Sequence, residues 1–96
     1  MMVVVVYDIS GADAAASKRL RNVVRTCGKY GVRVQKSVFE CLINAEQYRQ
    51  IRQALSKTIN GETDSIRFYL LGKHYQTRIE TLGRGGVSWD RETFVL

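Results

Sequence analysis

Asp8 is the residue of this 96-residue chain whose type and setting are best placed to do chemistry. It closes an unbroken apolar run, Met2-Val3-Val4-Val5-Val6-Tyr7, and is followed by a short loop, Ile9-Ser10-Gly11-Ala12-Asp13. Four consecutive β-branched residues favour extended backbone, and a run without alternation suits a central strand covered on both faces. A fully buried charge is costly, so the acid is expected to emerge at the strand's C-terminal end, where loop residues gather into functional sites. Two roles are open to it there. It caps the helix that follows, or it offers a carboxylate to a hard cation such as Mg²⁺, which one or two carboxylates often hold while water and substrate phosphate complete the octahedron.

The second chemistry-bearing feature is a block of cations. Lys18, Arg19, Arg21, Arg25, Lys29, Arg33 and Lys36 lie between Asp13 and Glu40 with no acid among them, so the segment carries seven positive charges. The other eight basic residues are nearly balanced by nine acidic ones, and the net charge of +6 therefore comes from one region. Such concentration points to a polyanion, and a nucleic-acid phosphate backbone is the obvious one. The competing reading is an ordinary solvated helix face.

Other chemistries lack their residues. Two cysteines, Cys27 and Cys41, and a single histidine, His74, fall short of the four ligands of a structural zinc site. Both cysteines read as small buried hydrophobes, and His74 as a surface or capping residue. The apolar opening is about six residues long against the roughly 20 of a spanning helix, and it has neither a basic leader nor a small-residue cleavage site. No membrane association and a cytoplasmic location are the expectation. At this length the chain, residues 1–96, forms one domain.

The elements that must position these residues follow from periodicity. Ala14 to Tyr30 is helical: Ala16, Leu20, Val23, Val24 and Cys27 fall on one side, Lys18, Arg21, Arg25 and Lys29 on the other. Ser10 or Asp13 is the expected N-cap and Gly31 the C-terminal cap. Val32 to Ile43 is rich in strand formers, but its apolar phase moves from even positions (Val32, Val34) to odd ones (Phe39, Cys41, Ile43). Since a one-residue slip reverses every side chain, a bulge or a tight reversal must reset the register near Lys36-Ser37, and two short strands are the favoured solution. Asn44 and Gln47 form a capping-box pattern ahead of Tyr48, Ile51, Leu55 and Ile59, a second helix that ends at Asn60-Gly61. Ile66, Phe68 and Leu70 alternate with Ser65, Arg67 and Tyr69 in a half-exposed strand. Val87 to Leu96, after Gly83, Gly85 and Gly86, is expected to give a last short strand or docking segment.

The order β-α-β-β-α-β is that of the α+β ferredoxin-like domains, an antiparallel sheet with both helices on one face. The Val run implies burial of both faces of the first strand, so the bare face needs a cover. A second copy of the chain, related by a twofold axis, is the simplest one. If that axis passes near the strand ends, two copies of Asp8 meet and share one divalent ion.

These motifs together resemble a known family. Val4-Val5-Val6-Tyr7-Asp8-Ile9-Ser10, then Tyr30-Gly31, then Arg33-Val34-Gln35-Lys36-Ser37-Val38-Phe39-Glu40-Cys41 are similar to the small CRISPR-associated adaptation endonucleases, the second of the two core spacer-acquisition proteins. The resemblance spans essentially the whole chain. It implies a ferredoxin-like homodimer whose paired Asp8 residues bind Mg²⁺ or Mn²⁺, with cleavage of RNA or DNA as the activity. It also implies Tyr7 and Phe39 as site-supporting or dimer-contact residues and Arg33 as a residue linked to activity. Lys18, Arg19, Arg21, Arg25 and Arg33 become the expected nucleic-acid contacts, and the segment from about residue 83 to 96 an arm docking on the partner. Members also serve as non-catalytic bridges between two integrase dimers, so a DNA-binding adaptor with a CRISPR integrase partner stands as the alternative function.

Overall fold

The computed structural model describes residues 1–84. Strand β1 (Met2–Asp8) is followed by helix α1 (Ala14–Gly28), strands β2 (Val32–Gln35) and β3 (Val38–Leu42), helix α2 (Ala45–Thr58) and strand β4 (Ser65–Gly72), with a 3₁₀ turn at Tyr75–Thr77. The sheet order is β2-β3-β1-β4 and every pairing is antiparallel. This is the ferredoxin-like order expected from the sequence. The last strand or docking segment predicted for Val87 to Leu96 lies outside the described residues.

β1 is central because its backbone pairs on both sides, Val5 with Phe39 of β3 and with Phe68 of β4. Its odd residues Val3, Val5 and Tyr7 pack with Phe39 and Cys41 against Val23 and Cys27 of α1 and Ile51 and Leu55 of α2, so both helices cover one face. The even residues Val4 and Val6 are only half-buried, and they share the opposite face with Val38, Glu40, Arg67 and Tyr69. One chain thus covers one side of the Val run and leaves the other partly open.

Both candidate devices for the register reset are present. A two-residue turn at Lys36-Ser37 separates β2 from β3, and the pairing shifts between Arg33 and Gln35. The helix caps divide. Asn44 and Gln47 make the full capping box, and Asp13, one of two candidates, caps α1 by accepting from the Ala16 N–H at 2.9 Å. Gly31 is not the left-handed cap expected of it. α1 stops at Gly28 with Lys29 in right-handed conformation, and Gly31 is required for closeness instead: a Cβ there would lie 2.3 Å from the Glu40 carbonyl oxygen and 2.5 Å from Cys41 Sγ. Leu20 is 41% exposed although its spacing puts it on the apolar side.

A carboxylate holds the two connections at one end of the sheet together. The Asp64 side chain, fully buried between α2 and β4, accepts from Arg19 Nε at 2.8 Å, from the Ser10 N–H at 3.0 Å and from the Asn60 N–H at 2.8 Å. Burial alone would raise the Asp64 pKa, but the bonds from Arg19 and from the Asn60 and Ser10 amides outweigh it and hold the group at about 2, below its ordinary 3.8.

Two consequences are measurable. Gly31→Ala is expected to lower the unfolding free energy by about 2 kcal/mol in urea titrations, because the new methyl must displace β3 backbone; a loss below about 0.5 kcal/mol would mean that β3 yields freely. Because the folded Asp64 pKa is depressed, its contribution is complete above the unfolded value of 3.8 and is lost as pH falls toward about 2. The chain should lose stability across that window in acid titrations, and Asp64→Asn should flatten the loss there; an unchanged slope would refute the assignment.

Candidate functional site

Asp8 is the last residue of β1 and lies opposite Ser65 of β4. As an even residue it points to the open sheet face with Val4 and Val6. It is exposed, and its carboxylate makes no hydrogen bond or ion pair among the described residues. Asp13, not Asp8, caps α1. The capping role weighed for Asp8 is therefore filled elsewhere, and its carboxylate is available.

Two clasps fix the backbone on either side of it. On one side the Tyr7 hydroxyl donates to the Lys36 carbonyl at 3.0 Å, and Arg33 donates to the same oxygen from Nε at 3.0 Å and Nη2 at 2.6 Å. The Tyr7 N–H adds a bond to the Ser37 carbonyl at 3.1 Å, so the β2–β3 turn is tied to the end of β1. Burial pushes the Tyr7 phenol above its ordinary value while Arg33 pulls it down in part, and the net rise keeps the proton this bond needs. On the other side Arg19 grips Asp64 and also donates from Nη2 to the Ser10 carbonyl at 3.1 Å. Ser10 thus has its N–H on Asp64 and its C=O on Arg19.

The expected nucleic-acid contacts therefore separate into two groups. Lys18, Arg21 and Arg25 are exposed on the face of α1 opposite Ala16, Val23 and Cys27 and make no ion pair among the described residues. Arg19 departs from that expectation: only 22% of its side chain is exposed, and its guanidinium is committed to Asp64 and Ser10. Arg33 is exposed but has two of its donors on Lys36. Phe39 is buried with its ring 6.2 Å from that of Tyr7, so the pair supports the strand end from beneath. Nothing in the sequence singles out Asp64. Its local signal, an acid between two hydroxyl residues ahead of a strand, is weak, and its partners Arg19 and Ser10 lie 45 and 54 residues away.

Among the described residues no group of three or more His, Cys, Asp or Glu could hold an ion. The donor set at the strand end is a single carboxylate. That suits a hard, oxygen-preferring cation that keeps most of its waters, Mg²⁺ or Mn²⁺, and it needs a further carboxylate from beyond the described residues to be a strong site. The thiols are unsuited to chemistry: burial pushes Cys27 up to about 12, with Cys41 adding to the rise, and Cys41 up to about 11. His74 is exposed and starts the 3₁₀ turn without a side-chain capping bond. No helix among the described residues is long and apolar enough to cross a membrane.

Comparison with known proteins places the chain in a family. The family model described as "CRISPR associated protein Cas2" matches residues 1–79. The CRISPR-associated endonuclease Cas2 of Halalkalibacterium halodurans is 41% identical over 83 residues, 86% of each chain. The CRISPR-associated endoribonuclease Cas2 of Chlorobaculum tepidum is 42% identical over the same shares. Among solved structures, Streptococcus pyogenes Cas2 at pH 6.5 superimposes with a TM-score of 0.76 at 52% identity, covering 86% of this chain and 100% of that one. A hypothetical protein from Thermus thermophilus gives 0.73 at 28% identity, covering 90% and 94%. Since the family match runs from the Val strand through both clasps and past β4, the chain belongs to the CRISPR-associated Cas2 family.

Proposed function

We propose that the chain is a metal-dependent phosphodiester endonuclease of CRISPR adaptation, acting in the cytoplasm as a homodimer in which two Asp8 carboxylates hold one Mg²⁺ or Mn²⁺. The observation that carries the reading is that the exposed Asp8 shares a sheet face with the half-buried Val4, Val6 and Val38 and the 45%-exposed Tyr69, beside Glu40 and Arg67. The valines at the middle of this mixed face are left without a full cover, and a second copy laid on it about a twofold axis near the strand ends would bring the second carboxylate. The names of the relatives, endonuclease and endoribonuclease, support hydrolysis of nucleic acid.

Within that frame each residue has a physical task. Tyr7 and Arg33, through the Lys36 carbonyl, hold the strand end, and Phe39 packs beneath it. Lys18, Arg21 and Arg25 bind phosphates of the backbone. An ion bound between the Asp8 carboxylates supplies Lewis-acid activation of a phosphate and of a water. The exposed, unpaired cations of α1 also favour the second reading, a dimeric adaptor that bridges the integrase partner's dimers along a DNA duplex without cutting it.

Asp8→Asn separates the two. In a preparation that sediments as a dimer, the enzyme reading expects Mg²⁺- or Mn²⁺-dependent cleavage to fall at least 100-fold, with duplex affinity within about twofold of the parent; unchanged cleavage would remove it. Charge reversal at Arg21 and Arg25 addresses the basic stripe. The pair Arg21→Glu and Arg25→Glu should weaken duplex binding and lower the slope of log K against log salt by about 2, one unit per lost phosphate contact. The same slope in parent and variant would exclude the stripe from the interface.

A further inference from the structure

We infer that Asp64 is a positioning residue of the Asp8 metal site: through Arg19 and Ser10 it sets where the Asp8 carboxylate stands, and so the affinity of the dimer for its divalent ion. The inference rests on the reading of Asp8 as half of that site.

Asp64 is the buried charged residue of the described chain. Where only stability is wanted, a buried ion pair is commonly matched or exceeded by apolar residues of similar volume, so what this one adds is direction. Its bonds are aimed at the backbone around Asp8. Oδ1 accepts from Ser10 N–H, two residues beyond Asp8, while Oδ2 accepts from Arg19 Nε at 2.8 Å and from Asn60 N–H. Arg19 closes the ring by donating to the Ser10 carbonyl. Both backbone groups of Ser10 are thus held by one ion pair. Asp64 also precedes Ser65 directly, and Ser65 is the register partner of Asp8. The carboxylate therefore fixes the chain just after Asp8 and the strand just across from it.

Positioning matters more here than at a site built within one chain. Mg²⁺ takes its oxygens at about 2.0–2.1 Å in near-ideal octahedral geometry. When two copies contribute one carboxylate each, any displacement of the loop is doubled by the symmetry, and among the described residues no cluster of ligands compensates. Outer residues that orient a ligand typically change metal affinity by about 10- to 100-fold when they are replaced.

Titration of the full-length dimer with Mn²⁺, followed by the electron paramagnetic resonance signal of free Mn²⁺ well below each variant's melting temperature, tests this. Asp64→Asn is expected to raise the Mn²⁺ dissociation constant at least tenfold. In cleavage assays it should raise the half-saturating metal concentration by a similar factor while the rate at saturating metal stays within about threefold. Amide exchange of residues 9–13 should accelerate at least tenfold with the rest of β1 unchanged. Asp64→Glu should recover part of the affinity. Should Asp64→Asn fail to fold, Arg19→Lys, which keeps the charge but loses the fork that reaches both Asp64 and Ser10, is the variant to read, with the same expectations. A dissociation constant within twofold of the parent, whatever the change in melting temperature, overturns the proposal and leaves the metal site standing. A parent dimer that binds no Mn²⁺ overturns the metal reading itself, and this inference with it.

Discussion

The position of β1 in the middle of the sheet is the constraint on which the other features depend. A strand whose N–H and C=O groups are taken on both sides has to sit between neighbours, and β3 and β4 supply them antiparallel. That arrangement brings the β2–β3 turn and the α2–β4 connection to the end of β1 where Asp8 emerges. Each can then be tied to the strand, one through the Lys36 carbonyl and the other through Asp64. An edge strand would have had one neighbour and one clasp. The apolar run is what demands the central place, since Val3, Val5 and Tyr7 need the helices above them.

The cations of this chain do two unlike jobs that composition cannot distinguish. Lys18, Arg21 and Arg25 lie opposite the buried stripe of α1 and keep their charge in solvent. Arg19, one position from Lys18, has rotated onto the flank facing the α2–β4 connection, where its planar fork serves a carboxylate and a carbonyl at once. Arg33 uses the same planarity on a single carbonyl oxygen. Guanidinium groups suit these tasks because several donors act in fixed directions, whereas an ammonium is a point charge. Substitution of Arg19 or Arg33 therefore disturbs the geometry around Asp8 before it removes any phosphate contact.

Local pattern carried most of the architecture. The unbroken Val run, the Asn44/Gln47 capping box, the change of apolar phase before Phe39 and the alternation from Ser65 to Leu70 led to the element order and to Asp8 at a strand end. What local pattern does not encode is what the chain brings together over long separations. Arg19 and Asp64 are 45 residues apart, and in sequence each is one charge among many. Gly31 shows the same limit. After a helix a glycine reads as a left-handed cap, but what excludes a side chain here is the backbone of β3 nine residues on. Leu20 falls in the right helical phase and still meets solvent, because phase gives a direction and not a cover.

The relation of Asp8 to the basic stripe bears on what each cation can do. Asp8 points to the open sheet face, whereas the stripe lies on the outer side of the helical layer, so the body of the domain separates them over most of its length. They approach only where α1 begins, since the loop after Asp8 leads directly into that helix. With a rise of about 1.5 Å per residue, Lys29 stands some 16 Å further along the axis than Lys18. Lys18 and Arg21 are therefore the cations of the stripe nearest the start of α1, and under the proposed cleavage they would be the ones to hold a phosphate near Asp8. Arg25 and Lys29 lie further along the helix, where a duplex in either proposed role would be drawn away from Asp8. In the proposed function the length of the stripe would serve binding, and its first turn or two cleavage.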